Sequence, residues 1–251
     1  MNFIRNPNIP DRKVTLAMVD GRISSDPEDA FKRLNIEILK TSRHTDVYDA
    51  VAYHPDIAFH HISYNKIIYA PGTDQLLVDN LKQRGFVMIE GTTRLSCSYP
   101  QSAAYNVARI GNIAFHNLNI TDPVLKKALE EEGVRMVHVR QGYSRCSTSI
   151  LNENSIITSD KGIAEAALKN GINVLLIEPQ RNIVLPGLDY GFLGGSSGLI
   201  DKNTWAIAGN LERLEAGRQI AEYLNKAGVK LVNLSDDYVM DIGTIVPLMT
   251  E

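Results

Sequence analysis

The sequence predicts a single α/β domain in which one strand-and-helix unit repeats five times and closes into a ring. Three observations predict this fold class. A capped helix, a Gly or Asn stop and an apolar strand recur in that order. A tyrosine follows each apolar strand at a nearly constant interval, and no Ser/Pro-rich linker or charge block divides the chain. We therefore expect residues 1–251 to form one domain with pseudo-fivefold repeats.

Five helices are predicted, each followed by a short apolar strand. Ser, Thr and Asp accept hydrogen bonds from the free amides of a helix start, Pro fits the first turn, and Gly adopts the left-handed cap. The helix starts and the strands that follow are Asp26 with 36–39, Thr73 with 86–89, Thr121 with 134–137, Ser159 with 172–176, and Leu211 with 229–232.

The tyrosines form a second repeat that does not depend on the helices. Their spacings are 46, 44, 47 and 48 residues by subtraction, and the five are Tyr53, Tyr99, Tyr143, Tyr190 and Tyr238. An ordinary doubly wound sheet also alternates helices and strands at about this spacing. It does not require a tyrosine in register, so the ring is the preferred interpretation.

The composition and charge of the chain indicate which classes of binding partner are not expected. The 251 residues are 44% hydrophobic and 22% charged with a formal net charge of −3, and they show no basic stripe, so a nucleic-acid partner is not expected. An apolar run of about 18 residues is absent, so no membrane partner is expected. The polar first residues and the two cysteines outside any CxxC pair, Cys97 and Cys146, favour a cytoplasmic location.

Three segments carry a family resemblance beyond the repeat: QGYSRCS at 141–147, DYGFLGG at 189–195 and DIG at 241–243. With the repeat, they resemble an uncharacterised clostridial branch of the pentein, or guanidino-group-modifying enzyme, superfamily. The resemblance implies a five-bladed α/β propeller with a ligand site on the pseudo-fivefold axis. It also implies amidinotransferase-like or hydrolase chemistry, in which a cysteine thiolate attacks a guanidine or amidine carbon, a histidine moves protons and carboxylates hold the cation.

The sequence departs from this superfamily at one important place. Superfamily enzymes carry the nucleophilic cysteine in the last blade, near the C-terminus. Here residues 241–248 read DIGTIVPL and contain no cysteine. The superfamily mechanism therefore cannot be transferred to these positions directly.

A different set of residues is predicted to converge on the axis. Counting three residues past each tyrosine of the repeat gives Asp56, Ser102, Cys146, Leu193 and Asp241. The superfamily has a His-x-Asp motif two blades before its nucleophile, and His54-Pro55-Asp56 lies two blades before Cys146. We therefore hypothesise that His54 and Cys146 form a proton-transfer and nucleophile pair in a rotated register, with Asp56 or Asp241 holding a cationic ligand. The alternative is that His54 and Asp56 are polar loop residues and Cys146 is a small buried apolar residue.

Further residues are assigned to ligand binding. Arg145 either lowers the pKa of the adjacent thiol or binds a ligand carboxylate, and a surface role is the alternative. Asp189 and Tyr190 are expected to face the same site, while Cys97 is expected to be structural. The glycines at 191, 194, 195 and 198 lack a phosphate-loop pattern and are expected to let the backbone approach the axis.

No metal or other cofactor is expected. His60 and His61 are adjacent on a predicted strand, so their side chains point to opposite faces and cannot chelate one ion. The other histidines show no ligand spacing.

Three functions remain open from the sequence. The first is a Cys-dependent enzyme that acts on a C–N bond of a small guanidine, amidine or amino-acid-like compound. The second is a non-catalytic propeller that binds a small polar metabolite. The third is a propeller that binds another protein.

Overall fold

The computed structural model describes residues 2–251, in which strands and helices alternate along the whole chain. The strands are β1 (Asn2–Phe3), β2 (Val14–Val19), β3 (Glu37–Lys40), β4 (Phe59–Ser63), β5 (Lys66–Tyr69), β6 (Val87–Glu90), β7 (Ala108–Ile110), β8 (Ile113–His116), β9 (Arg135–His138), β10 (Thr148–Asn152), β11 (Ser155–Thr158), β12 (Asn173–Leu176), β13 (Ser197–Asp201), β14 (Thr204–Ile207), β15 (Lys230–Asn233) and β16 (Val246–Thr250). The helices are α1 (Ser25–Arg33), α2 (Pro55–Ala58), α3 (Gln75–Gln83), α4 (Pro123–Glu131), α5 (Lys161–Lys169) and α6 (Gly217–Lys226), with 3₁₀ turns at Asp49–Val51, Gln101–Ala103 and Leu211–Arg213. The predicted α/β class is confirmed.

The strands of the described chain form five separate sheets. Four of them are built alike: an antiparallel hairpin is followed by a helix, and the chain returns as a third strand parallel to the second. Their strand orders are β4-β5-β6, β7-β8-β9, β10-β11-β12 and β13-β14-β15. The fifth sheet has the order β1-β16-β2-β3, so strands from both ends of the chain lie side by side in it.

The helix caps follow the predicted chemistry in most repeats. The side chains of Asp74, Asp122 and Asp160 each accept a hydrogen bond from an amide in the first turn of α3, α4 and α5. The helix predicted to start at Leu211 is instead broken into a 3₁₀ turn and α6. The break occurs because Leu214 has an extended backbone, with ψ of 143°, which cannot continue a helix.

The first strand of each repeated sheet is buried along almost its whole length. Every residue of β4 is buried, as is all of β10 and β13 except the last residue of each. Trp205 on β14 is also fully buried, and its indole N–H donates to Ser149 Oγ of β10 at 2.8 Å. These first strands therefore lie in the interior of the protein. The loops that precede them approach one another.

A closed cycle of hydrogen bonds joins the five loops that precede β4, β7, β10, β13 and β16. Four of the links run between backbone groups and one uses an asparagine side chain. The links are Asn106 Nδ2 to Asp56 O (3.1 Å), Arg145 N to Asn106 O (3.1 Å), Gly195 N to Cys146 O (3.0 Å), Ile242 N to Gly195 O (3.0 Å) and Asp56 N to Gly243 O (3.3 Å). The side chains of these loops therefore share one region of the molecule.

One buried carboxylate, Asp122, caps α4, and its contribution to the stability of the protein can be measured. Asp122 is fully buried and accepts hydrogen bonds from the amides of Leu125, Thr92 and Thr93 at 2.9, 2.8 and 2.6 Å. Asp122→Ala leaves these donors without a partner, so we expect the free energy of unfolding to fall by about 3 kcal/mol. Asp74→Ala, at the partly exposed cap of α3, is the matched control and should cost about 1 kcal/mol. Urea denaturation measures both, and equal losses would contradict the special role of Asp122.

Candidate active site

The centre of the loop cycle holds a thiol in contact with a carboxylate. Cys146 lies in the turn before β10 and Asp56 in the first turn of α2, where Pro55 starts the helix. Both are only 3% exposed. The Cys146 thiol donates to Asp56 Oδ2 at 3.1 Å, and the Thr244 hydroxyl donates to the same oxygen at 2.7 Å. Burial raises the pKa of Asp56 to about 6, although these two hydrogen bonds act in the opposite direction.

Asn106 fixes the position of the thiol. Its amide nitrogen donates to Cys146 Sγ at 3.1 Å, and its amide oxygen accepts from the backbone N–H groups of Arg145 and Cys146 at 2.8 and 3.2 Å. One fully buried side chain therefore holds both the sulfur and the turn that carries it. The pKa of Cys146 is nevertheless raised well above its ordinary value, first by burial and then by the charges of Asp56 and Asp241.

His54 lies between two buried carboxylates. Its Nε2 is 3.6 Å from Asp20 Oδ2 and its Nδ1 is 3.8 Å from Asp241 Oδ1. Neither ring nitrogen has a hydrogen-bond partner among the described residues, so no hydrogen bond joins His54 to Cys146. Burial lowers the pKa of His54, and the two carboxylates oppose that shift. The hypothesis that His54 exchanges a proton with Cys146 stays a prediction.

The two carboxylates beside His54 differ in how they are compensated. Asp20 Oδ2 is 2.7 Å from an Arg22 guanidinium nitrogen, and this guanidinium also stacks on the Tyr53 ring. Asp241 accepts only backbone hydrogen bonds, from Phe192 and Gly243 at 2.8 and 3.0 Å, and burial raises its pKa. No Lys or Arg among residues 2–251 lies within 4.0 Å of the carboxylate oxygens of Asp56 or Asp241. Neither acid therefore forms an ion pair with Lys or Arg, although the charge of Arg145 acts on Asp56 at longer range.

Two glycines allow the backbone to approach this cluster closely. A Cβ at Gly195 would lie 2.1 Å from Asp241 Oδ1, and a Cβ at Gly243 would lie 2.3 Å from the His54 Cβ. No larger residue fits at either position without displacing the site. The expectation that the glycines of the 191–198 segment admit close approach is met at Gly195.

A row of tyrosines extends from the cluster towards the surface. Ser102 Oγ and the Tyr143 hydroxyl are 2.5 Å apart, and that hydroxyl is 3.2 Å from the hydroxyl of Tyr48. The half-exposed Tyr99 packs on Tyr143, with ring centroids 5.6 Å apart. Burial raises the pKa of Tyr48 and Tyr143, and the charge of Cys146 adds to both shifts. Ser102 thus adjoins the site through Tyr143.

Of the other residues predicted to bind a ligand, Arg145 adjoins the cluster but bonds to other groups, whereas Asp189 and Tyr190 lie outside it. Arg145 is 5% exposed, and its guanidinium donates to Thr148 O at 2.8 Å and to Asn8 Oδ1 at 3.3 Å. Burial lowers the pKa of Arg145 to about 10, so it stays cationic at neutral pH. Asp189 is exposed and Tyr190 is partly exposed against Phe192, outside the buried cluster. Roles for these residues in ligand binding stay predictions.

Sequence reasoning did not identify four residues of the cluster: Asp20, Tyr48, Asn106 and Thr244. Only Thr244 offered a signal, since it lies in the 241–248 segment that marked the missing cysteine. Its φ of 79° is unusual for a β-branched residue, and its Oγ1 also donates to Gly194 O at 3.1 Å. Asp20 and Asn106 occupy no fixed place relative to the repeated tyrosines.

The part of the chain that the structure describes, residues 2–251, contains no group of three or more His, Cys, Asp or Glu side chains arranged to hold a metal ion. None of its helices is long and apolar enough to cross a membrane. The Cys97 side chain is exposed, whereas that of Cys146 is buried.

The fold is shared with enzymes that modify guanidino groups. A saxitoxin-pathway amidinotransferase from Microseira wollei is 11% identical, with a TM-score of 0.58 and coverage of 92% of this chain and 91% of that one. Agmatine deiminase of C. jejuni is 11% identical (TM-score 0.56; coverage 94% and 90%). Inosamine-phosphate amidinotransferase of Streptomyces griseus is 8% identical (TM-score 0.58; coverage 93% and 91%). These likenesses confirm the pentein fold.

Residues 18–246 match a protein family described as a family of unknown function (DUF6873). A search of curated proteins finds no significant match.

The electrostatics of the thiol can be tested by alkylation with iodoacetamide. In a Cys97→Ser background, so that only Cys146 reacts, we expect Asp56→Asn to speed alkylation at pH 8 roughly tenfold, because loss of the adjacent negative charge lowers the thiol pKa. Asp26→Asn, an exposed carboxylate on α1, should leave the rate unchanged. Mass spectrometry measures the rates. A slower or unchanged rate for Asp56→Asn would show that the carboxylate does not control the thiol.

Proposed function

The chain belongs to the DUF6873 family and has the pentein fold, and on this basis we propose that it is a Cys-dependent enzyme acting on a C–N bond of a small guanidine or amidine compound. The observation that carries the proposal is the 3.1 Å contact between the Cys146 thiol and Asp56 Oδ2, inside the cycle that also holds His54 and Asp241. It joins the cysteine to the His-x-Asp motif two repeats earlier, as the rotated register requires.

The architecture proposed with this function is a single domain, residues 1–251, in which the five sheets are five blades around one axis. The cycle of loop hydrogen bonds supports this interpretation, because it visits the five sheets in chain order and returns to the first loop. The pairing of β16 with β2 supports it as well, since it places the last strand in the first sheet.

The charge of the site favours a planar cation as the ligand. Asp56 and Asp241 are buried and have no Lys or Arg within 4.0 Å among the described residues. A buried carboxylate without a cationic partner is unfavourable, and a bound cation relieves that cost. A guanidinium or amidinium group offers paired N–H donors that match carboxylate oxygens. The tyrosines at 48, 99 and 143 then border the substituent of the ligand.

The proposed reaction starts when the ligand binds. Its positive charge lowers the pKa of Cys146, and the thiol proton passes to His54 while Asp56 stays ionised. The thiolate sulfur forms a bond to the central carbon, and a C–N bond of the resulting tetrahedral adduct breaks. The departing nitrogen takes a proton from His54 and leaves as an amine or ammonia. The carbon then remains on Cys146 until water, or a second amine, displaces the sulfur and regenerates the thiol.

A non-catalytic role is the second candidate, and one observation favours it. Residues 241–251 contain no cysteine, and the thiol that remains is buried with a raised pKa. A propeller that only binds a cationic metabolite would use Asp56 and Asp241 in the same way. Thermal stabilisation by a guanidine compound without any turnover would identify such a protein.

Removal of the thiol separates the two candidates. We expect Cys146→Ala to lower turnover of a responsive guanidine at least a thousandfold, because no other side chain supplies the nucleophile. The screen uses arginine, agmatine and methylguanidine, with released ammonia, amine or urea as the readout. Cys97→Ala is the matched control and should keep full activity, while circular dichroism checks that both variants fold. Full activity of Cys146→Ala would refute the enzymatic proposal.

The pH dependence follows from Asp56, whose pKa is raised to about 6 by burial. The ionised carboxylate holds the cation and is lost as the pH falls through that value. We therefore expect kcat/KM to decrease about tenfold per pH unit below about 6. The decrease should reverse on return to pH 7.5 and should not coincide with unfolding. A flat profile between pH 5 and 7 would show that ionised Asp56 is not required.

A further inference from the structure

A small cavity borders the buried carboxylate of Asp56. Its volume is about 20 Å³. Six residues with polar or charged side chains line it: Asn8, Asp56, His60, His61, Tyr105 and Arg145. Apolar side chains, including Val107 and Val246, complete the wall. A space of this size accommodates about one water molecule.

Three side-chain atoms of the lining residues are shielded from solvent and have no hydrogen-bond partner within the described chain: Asp56 Oδ1, His60 Nε2 and His61 Nδ1. His61 already bonds to Tyr64 O through its other ring nitrogen, and Asp56 and His60 are 3% and 7% exposed. A buried polar atom without a partner costs about 1–3 kcal/mol, and such atoms in native proteins are usually satisfied by protein or by ordered water. Asp56 Oδ1 and His60 Nε2 therefore indicate a bound group in the cavity.

Within the cavity itself, which Arg145 and Asp56 both line, the charges disfavour an ion as that group. Asp56 faces the thiol of Cys146, the guanidinium of Arg145 and the carboxylate of Asp241. The cation of Arg145 disfavours a bound cation, and the carboxylate of Asp56 disfavours a bound anion. A neutral molecule that can both donate and accept meets both requirements.

His60 contributes a neutral imidazole. It faces Arg109, His61 and His116, and burial lowers its pKa to about 3. A neutral ring has one donor and one acceptor nitrogen, and water can satisfy Nε2 in either tautomer. A water in this cavity can therefore donate to Asp56 Oδ1 and complete its hydrogen bonding at His60.

We propose that the cavity binds one ordered water molecule that links Asp56 Oδ1 to His60 Nε2, and that His60 is thereby a positioning residue for the carboxylate that holds Cys146. The water site stands on the geometry alone, whereas its role in turnover rests on the proposed function. The water fixes the Asp56 carboxylate with Oδ2 towards the sulfur. It also reduces the negative charge that the sulfur meets.

The test compares His60→Leu with His60→Gln, both in the Cys97→Ser background. Leu cannot bind the water, whereas Gln keeps a polar group near the place of Nε2. We expect the midpoint of Cys146 alkylation by iodoacetamide to rise by about one pH unit in His60→Leu, because the carboxylate loses a hydrogen bond and opposes the thiolate more strongly. His60→Gln should restore the original midpoint. Equal midpoints in all three proteins would overturn the positioning role.

A crystal structure of the Cys97→Ser protein at about 1.5 Å gives an independent readout that requires no variant of His60. Density for a water within hydrogen-bond distance of both Asp56 Oδ1 and His60 Nε2 is the expected result, and a cavity without such density would overturn the proposal. Neither readout requires turnover. A protein that holds the water but processes no guanidine compound therefore refutes the proposed function and leaves this inference intact.

Discussion

The cycle of hydrogen bonds among the five inner loops is the constraint on which the site depends. Each link holds a loop to the next one, and the loops carry the thiol, the imidazole and the carboxylates on short turns before buried strands. Without these hydrogen bonds, the side chains would lie on loops of separate sheets, and their relative positions would not be fixed. Because the cycle is closed, a shift of one loop must be shared by its neighbours. The close approaches at Gly195 and Gly243 show how little room is left for such a shift.

This constraint also explains how a thiol and uncompensated carboxylates can be buried together. Asp56 and Asp241 are held by hydrogen bonds from Cys146, Thr244 and backbone amides rather than by cations. Their raised pKa values record the unfavourable free energy of that burial. A positive charge placed beside these carboxylates would stabilise their ionised form. In the function proposed above, a ligand that supplies the charge changes the protonation of the sulfur and the imidazole at the same time.

The sequence predicted the α/β class, the pentein resemblance and three of the caps, because Asp caps, Gly stops and repeated tyrosines are local signals. It also placed Asp56, Cys146 and Asp241 at equivalent positions of the repeat, and the structure brings these three residues into one cluster. Asp20 and Asn106 could not be found in this way, since their roles depend on contacts between different sheets. The sequence around Asn106 contains no pattern that predicts the four hydrogen bonds of its side chain to two neighbouring loops. The break at Leu214 was missed because the apolar pattern continues across it.

The strand order β1-β16-β2-β3 has a consequence for biosynthesis. Gly243 and Thr244, which hold Asp56, precede a strand that pairs with β2 more than 200 residues earlier in the chain. On the ribosome, the repeats made first would have their helices and hairpins but not the contacts that order the His-x-Asp turn. The site around Asp56 and Cys146 would therefore be complete only after β16 has left the exit tunnel. Long-range closure of this kind slows folding relative to the local hairpins.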